Sequence, residues 1–444
     1  MPRSVKTVII LGAAGRDFHD FNVLFREDDA YNVVAFTANQ IPFISGRPYP
    51  KELSGEMYPD GIKIYDESGL PSLIKKYSAD VCVMAYSDLR YQDVMDKASI
   101  ANANGADFWL ISPEHTMLKS VKPVIAVCGV RTGVGKSQTS RYVSLALRKL
   151  GMKVAIIRHP MPYGILKDQV LQKFASLKDL DKYKTTIEER EDYEPHIKNG
   201  FVVYSGVDYE KILRQAEKEA DVILWDGGNN DAPFIKPDLL IVVADPLRAG
   251  NELTYYPGET VARMADILVI NKVNSAKNED VERVVAGLRQ INGKAKILYA
   301  DSVISVDNPN GIKGKRALLV EDGPTITHGG MLFGAATVAA KEYGAGSIVN
   351  AKRYAVGTLK DVFQKYTQLS DELPAVGYSP KEVRDLEATV NLADCDVVVS
   401  ATPTDLRHII KANKPIVQVY YELKPRGGGL DSELKLFSKK ATKQ

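Results

Sequence analysis

The stretch "KPVIAVCGVRTGVGKSQ", residues 122–138, decides how the rest of the chain is read. An apolar, β-branched run ends at Cys128, glycines follow at 129, 133 and 135, and Lys136 and Ser137 close the motif. A strand that turns sharply into a helix leaves several backbone N–H groups facing one hollow. Glycines let that backbone come close, and the helix N-terminus adds positive partial charge. The hollow fits a phosphate chain, with Lys136 reaching the β- and γ-phosphates and the Ser137 hydroxyl meeting Mg²⁺. Gly133, Val134, Gly135, Lys136, Ser137 and Gln138 are therefore the expected nucleotide-binding residues.

Outward from this loop, short β-branched runs alternate with longer amphipathic stretches, the pattern of parallel sheets with crossover helices. At 444 residues the chain exceeds one ordinary core. The reading is α/β with three parts. Residues 1–120 form a Rossmann-like N-terminal domain with strands in "KTVIILGAAG", "YNVVAFTAN", "ADVCVMAYSD" and "DFWLISP". Residues 121–343 form a P-loop nucleotide-binding domain with a mostly parallel sheet that runs from "PVIAVCGV" to "RALLVEDGP". Residues 344–444 form a C-terminal βα extension, either a small domain or the completion of another sheet. A Pro/Gly/Tyr-rich insert at residues 40–61 is too long for an ordinary connection and reads as a functional or lid-like loop. The turn "GAAGRD", residues 12–17, is a lone glycine turn, read as holding an anionic ligand through Arg16 and His19.

A net charge of +2 supplies no global field, so neither nucleic acid nor membrane is an expected partner. Cys82, Cys128 and Cys395 sit apart inside apolar runs and read as reduced core residues of a cytoplasmic protein. No apolar run approaches the roughly 18 residues of a membrane span.

Several further positions carry chemistry. Asp226 ends the apolar strand "DVILW", where a Mg²⁺-holding carboxylate belongs. "INKVN", residues 270–274, resembles the base-reading motif of GTPases with Asn274 in place of its aspartate. An amide offers guanine one acceptor instead of two, so ATP is favoured and GTP remains the alternative. Asn271 is expected at the base edge and Lys272 against its face. Arg158 and His159, in "RHPMPYG", reach the nucleotide end of the sheet. Arg131 lies inside the phosphate loop as a finger arginine would. The acidic run "EEREDYE" reads as a solvated helix face or as a second divalent-ion site through Glu189. "EDGPTITHGGM", residues 321–331, offers Thr325, Thr327, His328, Gly329 and Gly330 as a second phosphate cradle, and Arg248 adds a cation. With no catalytic triad and no nucleophilic cysteine, Lys136, Arg131, Arg158 and His159 are the expected catalytic set, suited to holding repelling anions together.

The loop "GVRTGVGKS" resembles that of dethiobiotin synthetase, with Val130 standing at the first glycine of the consensus. Together with "RHPMPYG", "EEREDYEPH", "YYPGE", "INKVN" and "EDGPTITHGG", the chain resembles the cyclic 2,3-diphosphoglycerate synthetase family and its homologues labelled predicted GTPases. The resemblance implies an ATP- and Mg²⁺-dependent synthetase that joins two phosphates of a small anionic substrate into an anhydride, releasing ADP and phosphate. It also goes with a homodimer or larger homo-oligomer. Two rival readings are a nucleotide-driven switch or metallochaperone acting on a protein partner, and an ATP-dependent ligase of dethiobiotin-synthetase type with a carboxylate and an amine as acceptors.

Overall fold

The computed structural model describes residues 5–39, 44–159, 164–228, 230–375 and 379–442. The N-terminal unit is built on β1 (Lys6–Leu11), β2 (Tyr31–Ala38), β3 (Pro48–Tyr49), β4 (Ile62–Asp66), β5 (Val81–Met84) and β7 (Asp107–Leu110). They form a six-stranded sheet in the order β3-β4-β2-β1-β5-β7, parallel throughout except at β3. Central strands such as β5, "VCVM", are buried at every position, as a parallel strand covered on both faces must be.

Two expectations for this unit are corrected. Within the insert, Ile44 and Tyr49 are fully buried, and Tyr49 packs on Phe18, Phe21 and Phe36. The described part of the insert is thus a wall of the N-terminal core and not a lid; residues 40–43 lie outside the described residues. The glycine turn is filled by its own acid. Asp17 Oδ1 accepts from the N–H groups of Ala14 at 2.5 Å and Phe18 at 2.8 Å, and its carboxyl crowds Gly12. The Ala14 and Phe18 amides are thereby taken from any anionic ligand. Arg16 pairs with Asp20 at 2.8 Å, and His19 stacks on Phe234 at 4.4 Å, so both belong to the joint with the next unit.

That next unit carries β8 (Val124–Gly129), β9 (Val154–Arg158), β10 (Gln172–Phe174), β11 (Val202–Ser205), β12 (Val222–Asp226), β13 (Leu239–Ala244), β15 (Ile267–Ile270) and β16 (Lys296–Val306). A short ribbon of β6 (Leu89–Arg90) and β14 (Tyr255–Tyr256) clasps it to the N-terminal unit. The chain ends in β17 (Arg316–Asp322), β18 (Ser347–Ile348), β19 (Glu372–Ala375), β20 (Val397–Ser400) and β21 (Ile416–Pro425).

The expected boundary at residue 343 moves. β17 pairs with β18, β19 and β20, so "RALLVEDGP" belongs to the C-terminal unit. That unit is not a separate sheet either. β16 is parallel to β15 in its first half and antiparallel to β21 in its second, giving one thirteen-stranded sheet. The last helix, Gly429–Ala441, returns to the P-loop unit and buries Leu430, Leu434 and Phe437 in its core. Among the described residues no helix is long and apolar enough to cross a membrane.

Candidate nucleotide site

The phosphate loop runs from the end of β8 into the helix Lys136–Lys149. Gly133 and Gly135 take the left-handed conformation, with φ of +81° and +105°, which an L side chain adopts only under strain. A β-carbon on Gly135 would also collide with the Asn271 and Gln138 amides. Val130 N–H donates to Val243 O at 3.0 Å, so the departure from glycine at this position is accommodated as an ordinary strand extension.

Asn271, Lys272 and Asn274 do not take up the base-reading roles expected of them. Asn271 is fully buried and donates through Nδ2 to Val134 O at 3.0 Å. Lys272 Nζ donates to Gly133 O at 2.5 Å and to Asp245 Oδ2 at 2.8 Å. Asn274 binds both backbone groups of Ser302, at 3.1 and 3.0 Å. Asn271 and Lys272 thus hold the phosphate loop from outside, and Asn274 holds β16. Lys272 keeps one face on the cavity.

Asp226, at the end of β12, is 1% exposed and gathers Lys136 Nζ at 2.9 Å, Arg158 at 2.8 Å and His196 Nε2 at 3.0 Å. Burial works to raise its pKa, but Arg158 and Lys136 overcome this and hold the carboxyl well below the usual range. Burial lowers the Lys136 pKa. Ser137 lines the same cavity. One permanently ionised carboxylate and one hydroxyl suit Mg²⁺, which keeps waters and shares phosphate oxygens. Glu189 does not join them. It closes a capping box at the start of the helix Ile187–Lys198, accepting from Thr186 N–H at 2.8 Å and Thr186 Oγ1 at 3.1 Å.

Arg131 is 4% exposed and its guanidinium is almost fully engaged, which leaves little of it for a transferred phosphoryl group. Nε donates to Asp88 of the N-terminal unit at 2.7 Å and NH1 to Asn251 at 2.5 Å. NH2 donates to the carbonyls of His328 and Gly329 in the C-terminal unit, both at 3.2 Å. The Tyr255 ring lies 3.5 Å beneath. Arg131 is a joint between units. Arg248 is a similar tie, donating to Gly329 O at 2.5 Å and pairing with Asp245 at 3.2 Å.

The expected second phosphate cradle is not available. The N–H groups of Gly329, Gly330 and Met331 donate to Pro324, Thr327 and Thr325 carbonyls, and Thr327 Oγ1 donates to Gly323 O. Of the six residues expected to bind substrate, only Thr325 lines the cavity. His159 lies behind the site, 3.5 Å from Asp231 and directly against Gly15 of the N-terminal unit. Pro160 to Tyr163 of "RHPMPYG" fall outside the described residues.

The structure brings together a cavity between the phosphate loop and the carboxyl ends of the C-terminal strands. Lys136, Arg141 and Arg158 stand on the loop side, and Glu191, Asp192 and Asp322 also line it. Asp192 pairs with Arg158. Glu191 and Asp192 belong to the acidic run and Asp322 and Thr325 to the segment 321–331 that the sequence had singled out; Ser302, Ile304, Phe333, Pro403 and Tyr421 carried no signal in the sequence.

No family model matches the chain. Among solved structures it is similar to LpxK from Aquifex aeolicus, with 12% identity, 83% of this chain and 99% of that one covered, and a TM-score of 0.43. It is also similar to the hydrogenase maturation factor HypB from Archaeoglobus fulgidus, with 16% identity, coverage of 40% and 81%, and a TM-score of 0.26. At these scores neither likeness bears on what this chain does. A protein named arginine synthetase ArcE, from Thermococcus kodakarensis, is 58% identical over 422 residues, 95% of this chain and 94% of its own length. This chain belongs to the arginine synthetase ArcE family.

Proposed function

We propose that the protein is an ATP-dependent synthetase that forms arginine. The observation that carries this reading is the 58% identity to an arginine synthetase along 95% of the chain. Arginine differs from its ureido counterpart, citrulline, only in a nitrogen that replaces the ureido oxygen. The direct ATP-driven route is therefore activation of that oxygen. The ureido oxygen attacks the γ-phosphorus of ATP and ADP leaves. Ammonia then adds to the ureido carbon, and the oxygen departs with phosphate. The surplus proton of the added nitrogen is lost, and the products are arginine, ADP and inorganic phosphate.

The lining of the cavity supports this chemistry. Lys136, Ser137 and Arg158 line it where the phosphates would lie; Asp226, just behind Lys136 and Arg158, would hold Mg²⁺ together with Ser137, and the ion would supply charge neutralisation at the phosphates. Glu191, Asp192 and Asp322 add negative charge to the same cavity. Carboxylates favour a neutral ureido group, an ammonium ion and a guanidinium product. They disfavour the multiply anionic acceptor of the phosphoanhydride reaction; of the arginines expected beside it, Arg248 is tied to Gly329 and Asp245 and does not line the cavity.

The test is purified protein with Mg-ATP, citrulline and ammonium, with arginine and ADP quantified by chromatography. Equimolar arginine and ADP, abolished in Lys136→Ala, is the expected result. A parallel reaction with 2,3-diphosphoglycerate followed by ³¹P NMR checks the phosphoanhydride reading. A new anhydride resonance there, with no arginine in the first reaction, would overturn the proposal.

A further inference from the structure

We infer that the nucleobase is read by the seam between β16, β21 and the C-terminal unit, and that the occupant of this seam is adenine. The inference rests on the nucleotide reading of the cavity, and it stands whether or not arginine is the product. The groups that read the base in GTPases are unavailable here. Asn271 is tied to Val134 O, Lys272 to Gly133 O and Asp245, and Asn274 to both backbone groups of Ser302. The same ties locate the base, because they fix the loop after β15 beside the phosphate loop. A nucleotide with its phosphates on residues 133–137 therefore directs its ring past Lys272 and Ser275 towards Ser302, all of which line one continuous cavity.

At that end the lining turns apolar. Ile304 and Tyr421 face each other as register partners across β16 and β21. Phe333 and Pro403 approach from the C-terminal unit. The loop that carries Pro403 is held by two hydrogen bonds, Thr402 Oγ1 donating to Thr404 O at 2.5 Å and Gln418 Nε2 to Thr402 O at 2.7 Å. A flat, partly apolar slot suits a purine ring, and aromatic and aliphatic walls bind its faces with little regard to its edge.

The edge is read by the amide of Gln138. It is 3% exposed, lines the cavity, and is oriented by Ser302 Oγ, which donates to Gln138 Oε1 at 3.3 Å. A carboxamide presents one acceptor and one donor side by side, the complement of the adenine amine and its neighbouring ring nitrogen. Guanine shows two acceptors on the corresponding edge and is mismatched. The adenine preference thus arises from a residue two positions beyond the lysine of the phosphate loop, with no contribution from the position that decides it in GTPases.

The experiment measures dissociation constants by calorimetry for ATP, GTP and inorganic triphosphate in the full chain and three variants. Phe333→Ala is expected to weaken ATP by roughly ten- to a hundred-fold, the range a lost ring contact gives, with triphosphate unchanged. Gln138→Leu is expected to narrow the ATP/GTP ratio to near unity. Asn274→Asp is expected to leave that ratio where it is. Retained triphosphate binding shows that each variant is folded. A switch to GTP in Asn274→Asp, or unchanged ATP affinity in both Phe333→Ala and Gln138→Leu, would overturn the inference. Failure of the parent protein to bind triphosphate or ATP at all would overturn the nucleotide reading itself, and would be seen before any variant is compared.

Discussion

Arg131 sits inside the phosphate loop, between Gly129 and Gly133, and yet works as a tie. Removing it should show as lost stability before lost chemistry. Arg131→Ala strands the Asp88 carboxylate and two carbonyls in a dry joint, and breaking a buried pair in this way costs about 3–5 kcal/mol. Chemical denaturation should report that loss; a variant of parental stability with reduced turnover would return Arg131 to the catalytic set. The contrast shows what single residues reveal in sequence. The positions of Lys136, Ser137 and Asp226 were legible, since a strand end and a helix start, both local, dictate where they stand. Asn271, Arg131 and Arg248 were misread because their partners lie 137, 43 and 81 residues away, and identity alone does not reveal such distant commitments.

At the scale of elements, the glycine turn after β1 and the helix Arg16–Asp20 make a prediction about pH. Burial pushes Asp17 up to about 8 and Asp231 up to about 7, whereas an unfolded aspartate titrates near about 3.9. Between those values the folded chain keeps protons that the unfolded chain has released, so these two acids make stability fall as pH rises from about 4 to about 8. Asp17→Asn keeps the acceptor for Ala14 and Phe18 and removes the titration. Its melting temperature should exceed the parent's at pH 8.5, with the gain fading towards pH 5. A constant difference across that range would exclude Asp17 as the source. The long elements were legible, since β5, β8, β13 and β15 are apolar runs bounded by turn residues. The acidic run is the helix that the sequence offered as one of two readings, and it is opened by a Thr186–Glu189 capping box, a pattern present in the letters that assigns Glu189 to the cap. Two- and three-residue edge strands such as β3 and β10 carry too short a pattern to be read without their neighbours.

For the whole molecule, the feature with the widest reach is the run of β16 from one unit into the next. Its first half extends the P-loop sheet and its second half pairs with β21, so the two sides of the nucleotide cavity share one hydrogen-bonded ladder. Hydrogen exchange should find the amides of residues 300–306 and 419–424 as protected as those of β8 and β12; rapid exchange confined to them would mean that the C-terminal unit opens on its own. The sequence offered completion of another sheet as one of two readings for the C-terminal extension, and the choice was not legible, because an eleven-residue strand that changes its pairing partner midway has the same alternation as one that does not. The order in which the chain emerges during synthesis adds one more consequence. The residues that finish the P-loop core, Leu430, Leu434 and Phe437, leave the ribosome roughly 290 positions after Lys136, so the nucleotide site stays incomplete during almost the whole of translation. A nascent chain that stalls short of them carries the whole phosphate-loop motif on a core still missing its last helix.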